Sequence, residues 1–387
     1  MSVVDKSQCC GCSACVNICP KSCIDFKPDQ LGFMYPEVDS DKCVECGLCE
    51  KVCQFKPDYD RDLNTPTPDV YAVRVKDHGE LGRSQSGAAF YLFSEAFLKE
   101  GGVIYGAGFD ENYRVLHKRA QTSSQRDELR YSKYVQSDVR LSFGSVRNDL
   151  EKGLPVMFTG TPCQVAGLRA YLRKHYQNLT TVDLVCHGVP SPKIWQDYID
   201  YLKKRYRSEL VEVRFRNKKY GWNSCWETFK FANGKFLKRT TSNDMYFSLL
   251  SIRESCSNCP YTNMNRVGDI SIGDFWGWKG EKFNDNKGIS LVFVNSDNGK
   301  VIFEKIRVIA DIVESNINDC LQPQLIKPIT LNPRREEFIS DYKRKGFLYV
   351  AKKYSDMRLK IRLRRFLSNI KYVIRKFYAE NRNIDIS

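Results

Sequence analysis

No stretch of this 387-residue chain approaches the roughly 18–20 consecutive apolar residues that a membrane-spanning helix needs. Residues 1–8 carry no apolar run, so a secretion signal is not expected. Without export, the sixteen cysteines are expected to stay reduced, as in a cytoplasmic protein, rather than pair as disulfides. Histidine is scarce, at four residues. Neither the dinucleotide pattern G-x-G-x-x-G nor a P-loop is present. A basic recognition domain is lacking too, although the net charge is +15: residues 343–382 hold fourteen Lys/Arg against two acids, and the first 342 residues are left near balance. Nucleic-acid binding needs basic residues across a recognition motif, so it is not expected here.

What the chain has is cysteine at a repeated spacing. Cys9, Cys12, Cys15 and Cys19, followed by Pro20, read C-x2-C-x2-C-x3-C; Cys43, Cys46, Cys49 and Cys53 repeat it. This spacing wraps cubic 4Fe–4S clusters, the fourth cysteine of each run serving the other cluster. One cluster is therefore assigned to Cys9, Cys12, Cys15 and Cys53, and the second to Cys43, Cys46, Cys49 and Cys19. Zinc sites favour paired cysteines over triplets with a distant fourth. Gly11 and Gly47 lie inside the loops, where backbone must approach sulfide; Cys10 and Cys23 are left as packing thiols. Such clusters pass single electrons.

The expected fold class is α/β: an N-terminal bacterial-type ferredoxin domain (1–58), a Pro/Asp/Thr-rich linker (59–69), a mixed α/β flavin-binding core (70–340) and a basic helical tail (341–387). Apolar segments at 71–75, 103–107, 156–158 and 181–185 read as strands. Helices are expected from 84 to 99, from 164 to 174, and from Pro192 onward. Strand, small-residue loop, helix recurs at least three times, which argues for working loops at the carboxyl ends of strands. Ser84, Ser86, Gly87, Thr159, Gly160 and Thr161 suit a phosphate-bearing cofactor, since small residues expose backbone N–H groups beside a helix N-terminus. Taken alone, each such loop is more often an ordinary strand-to-helix turn.

Eight segments then occur in order: 84–90 (SQSGAAF), 132–138 (SKYVQSD), 159–168 (TGTPCQVAGL), 183–192 (DLVCHGVPSP), 215–222 (FRNKKYGW), 255–259 (SCSNC), 269–276 (DISIGDFW) and 288–295 (GISLVFVN). Together they resemble the family of β subunits of deazaflavin-coenzyme (coenzyme F-420) hydrogenases and dehydrogenases, which includes plant 7-hydroxymethyl chlorophyll a reductase. The resemblance implies an iron–sulfur flavoprotein oxidoreductase that moves electrons between 4Fe–4S clusters and FAD. Its hydride partner would be a small substrate or the deazaflavin coenzyme, and a redox partner protein would stand at the other end. Family members also accompany surface-polysaccharide genes, which makes that biosynthesis one setting. By motif, the implied flavin contacts are Ser86, Gly87, Lys133, Tyr134, Gln136, Ser137, Thr159, Gly160, Thr161 and His187. Where relatives commonly have Ser-Gly-Gly, this chain has Ser86-Gly87-Ala88. Cys163, Cys186, Cys256 and Cys259 all fall in matched motifs and are the implied ligands of a third 4Fe–4S cluster; read without the resemblance, Cys163 and Cys186 are small buried apolar groups and Cys256 and Cys259 half of a zinc site. Cys225 and Cys320 have no such context.

His187 is the candidate proton donor, with a structural hydrogen bond as the alternative. Asp274 and Trp276 are either cavity-lining or core. An electron-transfer protein that feeds a partner enzyme, without a substrate site of its own, is the second functional reading. In the tail, Leu359, Leu363, Phe366, Ile370, Val373 and Phe377 recur at helical spacing among basic residues. That pattern suits either an anionic membrane surface, placing the protein at the inner membrane face, or docking on the chain's own core.

Overall fold

The computed structural model describes residues 3–56, 59, 67–140, 142–358 and 361. The tail positions from 363 to 377, with the proposed membrane contact, lie outside the described residues, as does most of the linker. No helix among the described residues is long and apolar enough to cross a membrane.

The first domain is built by the cysteine repeat itself. In its two loops, left-handed backbone falls at corresponding places: Gly11 and Glu45 (φ 71° and 51°), then Ser13 and Gly47 (φ 71° and 68°). Ser13 and Gly47 begin short helices, Ala14–Ile18 and Leu48–Lys51, which pack on each other. Between the loops, β1 (Ile24–Pro28) and β2 (Met34–Val38) form an antiparallel hairpin.

The core contains β3 (Asp69–Val75), β4 (Val103–Phe109), β5 (Val115–Ala120), β6 (Val156–Gly160) and β7 (Leu179–Leu184). The chain continues with β8 (Leu210–Arg214), β9 (Glu227–Phe231), β10 (Phe236–Arg239), β11 (Ile270–Asp274), β12 (Ser290–Val294) and β13 (Ala310–Ser315). Eight of these strands make one sheet in the order β13-β3-β12-β11-β7-β6-β4-β5, while β8 to β10 form a small separate sheet. The neighbours β11, β7, β6 and β4 run parallel, and the flanking pairs are antiparallel. Strands β6 and β12 are buried at every position, as expected for a sheet covered on both faces. One face packs on helices Ala89–Lys99 and Asp297–Ile306. The other packs on Ser142–Glu151 and Pro162–Leu172.

That second core takes in Ala14 and Val52 of the cysteine domain, so the two domains share one apolar interior. Their approach is close: a Cβ on Gly167 would stand 2.6 Å from the Cβ of Cys12, so only glycine fits there.

Each expected strand is present. The helix expected from residue 84 begins at Ala89, because residues 84–88 form a loop with Ser86 and Ala88 left-handed (φ 49° and 75°). The helix expected over 164–174 runs from Pro162 to Leu172 and ends on left-handed Arg173. The boundary expected at 340 is corrected by the helix Arg335–Tyr354, which runs through it with a bend at Gly346. Phe347, Val350 and Ala351 are buried in the core, and Phe347 stacks on Tyr198 at 5.4 Å. A tail deletion aimed at surface binding therefore belongs after residue 358.

Candidate functional site

All sixteen cysteines are free thiols. Cys9, Cys12, Cys15 and Cys53 line one cavity, walled by Val3, Val4, Phe26, Pro36, Val52 and Phe55. Burial raises the Cys15 thiol, and its charged neighbours are Cys12, Cys9 and Cys53, the set that the spacing assigned. Burial likewise pushes Cys53 up to about 11. Cys19, Cys43 and Cys49 pack around Val3, Cys23 and Ile24, and Cys46 acts on Cys49. Cys23 stands 3.3 Å from Cys19, Sγ to Sγ.

The tetrad from the core also assembles. Cys163 is the second residue of the helix after β6; Cys186 follows β7; Cys256 lies within a single helical turn, Glu254–Asn258, and Cys259 directly follows it. Burial raises the Cys186 thiol, and Cys256, Cys163 and Cys259 raise it further; burial pushes Cys256 and Cys259 up to about 12. Among the described residues no three His, Cys, Asp or Glu side chains converge on one ion-sized point. The donor chemistry fits a larger group: four buried thiols, with apolar surroundings that resist free thiolate, are what a cluster with thiolate-bound corners satisfies. Cys10, read as packing, stands beside both regions, since Cys12 and Cys163 are the neighbours that raise its thiol.

Beside the tetrad lies a cavity of about 660 Å3, within the size range of small-ligand and cofactor sites. It opens at the carboxyl ends of β6, β7 and β11 and at the loop before the helix Ala89–Lys99. Eight of the ten implied flavin residues line it: Ser86, Lys133, Tyr134, Ser137, Thr159, Gly160, Thr161 and His187. Cys186 lines it as well. Gly87 and Gln136 have other places. A Cβ on Gly87 would stand 2.0 Å from the Val73 carbonyl oxygen, so this glycine seats the loop on β3. Gln136 donates to the Cys10 carbonyl (2.8 Å) and accepts from Arg253 (3.0 Å). Ala88 lines the cavity with left-handed backbone, a conformation that costs a Cβ-bearing residue roughly 1–2 kcal/mol.

The lining is cationic and aromatic. Arg130, Lys133 and Arg216 share the lining with one acid, Asp274, with Tyr131, Tyr134, Tyr246, Phe247 and Trp276 among the walls; Arg130 is itself paired with Glu80 (2.6 Å) and Asp127 (3.1 Å). Arg216 pairs with Asp274 at 2.5 Å and donates to the Trp222 carbonyl; Asp274 also accepts from Trp222 Nε1 (2.7 Å) and from Ser86 Oγ. Asp274 and Trp276 thus border the cavity, and Trp276, 40% exposed, is not core. Burial lowers Lys133 to about 7, and its ammonium donates to the Arg130 carbonyl at 2.6 Å. Lys218, a residue the motifs did not single out, donates to the Leu81 and Ser86 carbonyls (2.8 and 2.7 Å) behind the same loop. Positive charge, small-residue loops and flat apolar walls together suit a planar aromatic ligand carrying phosphate.

Two histidines serve the cavity. His187 lines it beside Tyr246 and Phe247, with the Gln324 amide against its Nδ1; burial lowers its pKa. His117 lacked a motif, yet it is buried in the cavity wall, held between the Thr159 carbonyl at Nε2 (2.8 Å) and Ser137 Oγ at Nδ1 (2.9 Å). Burial lowers it to about 4. Between about pH 6.5 and 4 the unfolded chain therefore takes up a proton that the folded chain refuses. Stability present above pH 6.5 is lost as pH falls through this window, by about 3 kcal/mol at its foot. The melting temperature measured against pH should fall there, and His117→Gln should flatten the slope; an equal slope in the variant would contradict this account.

Comparisons with known proteins accord with the geometry. Residues 8–56 match the 4Fe-4S dicluster domain, and residues 154–319 match the family described as the C terminus of the coenzyme F420 hydrogenase/dehydrogenase beta subunit. The chain is 20% identical to the F subunit of the F(420)H(2) dehydrogenase of Methanosarcina mazei, over 81% of its own length and 86% of the relative's. It is 23% identical to the coenzyme F420-dependent sulfite reductase of Methanocaldococcus jannaschii, over 88% of its own length and 53% of that larger protein. Its first domain is 36% identical to the 7Fe ferredoxin of Hydrogenibacillus schlegelii, covering 16% of this chain and 77% of that one.

Proposed function

We propose that the chain is an iron–sulfur flavoprotein oxidoreductase, a reading supported by the match of residues 8–56 to the 4Fe-4S dicluster domain and of residues 154–319 to the C terminus of the coenzyme F420 hydrogenase/dehydrogenase beta subunit. It would hold three 4Fe–4S clusters and one FAD, with hydride exchanged at the flavin with a small substrate or a deazaflavin coenzyme. The clusters, when bound, handle single electrons, and the flavin links these to two-electron chemistry.

One observation carries the proposal. Cys186, a tetrad thiol, is part of the cavity wall, and Cys10 of the first domain neighbours both Cys12 and the tetrad's Cys163. This order of thiols supports a route from the first domain to the cavity. Arg216 and Arg130 already have carboxylate partners, so Lys133 and the small-residue loops at the helix N-termini are what an anionic cofactor would meet. Tyr134, Tyr246, Phe247 and Trp276 give it aromatic faces and keep water away. With the Gln324 amide donating to Nδ1, the His187 proton sits on Nε2, available to a group in the cavity.

The test is turnover by the chain alone, supplied with an artificial one-electron partner and candidate hydride carriers. An oxidoreductase with its own site turns over, and His187→Gln lowers the rate by about 10²-fold or more at full flavin content. Normal turnover in the variant removes the donor role. No turnover at all by the flavin-loaded parent favours the second reading, an electron-transfer protein that feeds a partner enzyme. That the Methanosarcina relative is itself one subunit of a larger dehydrogenase points the same way.

A further inference from the structure

Two arginines are the largest fully buried side chains of the protein, Arg253 and Arg266. Arg266 is neutralised by Asp183, 2.6 Å away. Arg253 is treated differently. Its Nε donates to the Cys9 carbonyl (2.7 Å), Nη1 to Gln136 Oε1 (3.0 Å), and Nη2 to the Met34 carbonyl (3.0 Å), with Cys9 Sγ at 3.7 Å. Its flat face lies over Tyr35 (4.2 Å) and Phe33 (5.4 Å). None of these hydrogen-bond partners is a carboxylate. A guanidinium is charged at any physiological pH, and burying it without an opposite charge costs several kcal/mol. The anion missing among these partners is the one that the neighbouring thiols would supply. Cys9 of the inner N-terminal set stands at this 3.7 Å, and the Cys256 N–H of the tetrad donates to the Arg253 carbonyl (3.1 Å), so the residue borders both sets. None of its side-chain hydrogen bonds goes to Cys19, Cys43, Cys46 or Cys49, the outer set.

We propose that Arg253 is a positioning residue, the internal counter-charge of the cluster held by Cys9, Cys12, Cys15 and Cys53 and of the cluster held by the tetrad. It sets the reduction potentials of both above that of the outer cluster. This rests on the cluster reading given above. A cube held by four thiolates is anionic, and each electron it gains makes it more so. A fixed cation in a low-dielectric interior stabilises the more negative state, which raises the potential. Electrons taken up at the outer, more exposed set are thereby drawn inward, toward the cavity. Sequence offered one hint, that Arg253 stands three residues before Cys256, but its hydrogen-bond partners are more than a hundred positions away along the chain.

The test uses the full chain with its clusters in place: iron content, then a dithionite redox titration followed by electron paramagnetic resonance. Arg253→Met and Arg253→Gln remove the charge, the second keeping hydrogen-bonding capacity, and Arg253→Lys retains it. The neutral variants should hold their iron and show two signals displaced to lower potential, with the outer signal unmoved; the lysine variant should stay near the parent. Unchanged potentials at full iron overturn the proposal, as does an equal shift in all three signals or a lysine variant displaced as far as the neutral pair. Loss of the inner irons in both neutral variants also overturns it, in favour of a role in assembly. A parent protein without iron would instead remove the cluster reading itself, before any variant is compared.

Discussion

Exchanging both Cys256 and Cys259 for serine is expected to remove about four irons per chain and leave about eight. The thiols act on one another and on Cys163 and Cys186 in a buried pocket, so two lost corners leave no adequate ligand set. The first domain has its own eight assigned thiols and should keep its irons. Because Cys186 also lines the cavity, the variant should retain flavin yet fail to pass electrons from flavin to the remaining clusters, so flavin reduction by hydride would uncouple from one-electron turnover. Iron analysis and a rapid-mixing assay of flavin reoxidation check the two halves separately. Unchanged iron content would sink the third cluster.

The second large effect concerns the strut behind that pocket. Asp183 and Arg266 form an ion pair at 2.6 Å, at most 1% exposed. Arg266 also donates to the carbonyls of Tyr261, Asn263 and Leu184, and Asp183 accepts from the Gly268 N–H. The pair thus ties the segment after Cys259 to the end of β7, from which Cys186 follows. Asp183→Asn leaves the guanidinium buried without its anion, and removing one partner of such a pair typically costs about 3–5 kcal/mol. A clearly lower melting temperature is expected, with the tetrad irons released before those of the first domain. A double change to Asp183→Leu with Arg266→Met should recover part of the loss, since it leaves no lone charge. A single variant as stable as the parent would show that the pair does not brace the site.

Much of this architecture is legible in the sequence because it is written locally. The two cysteine runs specify loop, turn and ligand set close to their own cysteines, and the left-handed residues recur at matching places in both. The strand–loop–helix units of the core show as apolar runs followed by Gly, Ser or Thr. What was not legible depends on distant contacts. Gly87 is read as a cofactor contact or as part of an ordinary strand-to-helix turn, and only the position of Val73 shows it seated on β3. Gln136 lies in a matched motif but faces the cysteine domain. His117, Gln324 and Arg253 have no motif, and Lys218 stands within one without being singled out, since their partners stand far away in sequence: Ser137 and Thr159 for His117, His187 for Gln324, Cys9 with Met34 for Arg253, and Leu81 and Ser86 for Lys218. The C-terminal boundary was misplaced for a related reason. Lys343, Arg344 and Lys345 read as the start of a solvated tail, whereas Phe347, Val350 and Ala351 just beyond them are core.

The visible spectrum of anaerobically purified protein, with iron and flavin determined on the same sample, tests the central claim most directly. The account predicts about twelve irons and one FAD per chain, with overlapping flavin and iron–sulfur absorption. Eight irons and no flavin would contradict it, leaving a two-cluster electron carrier joined to a domain whose cavity serves some other ligand.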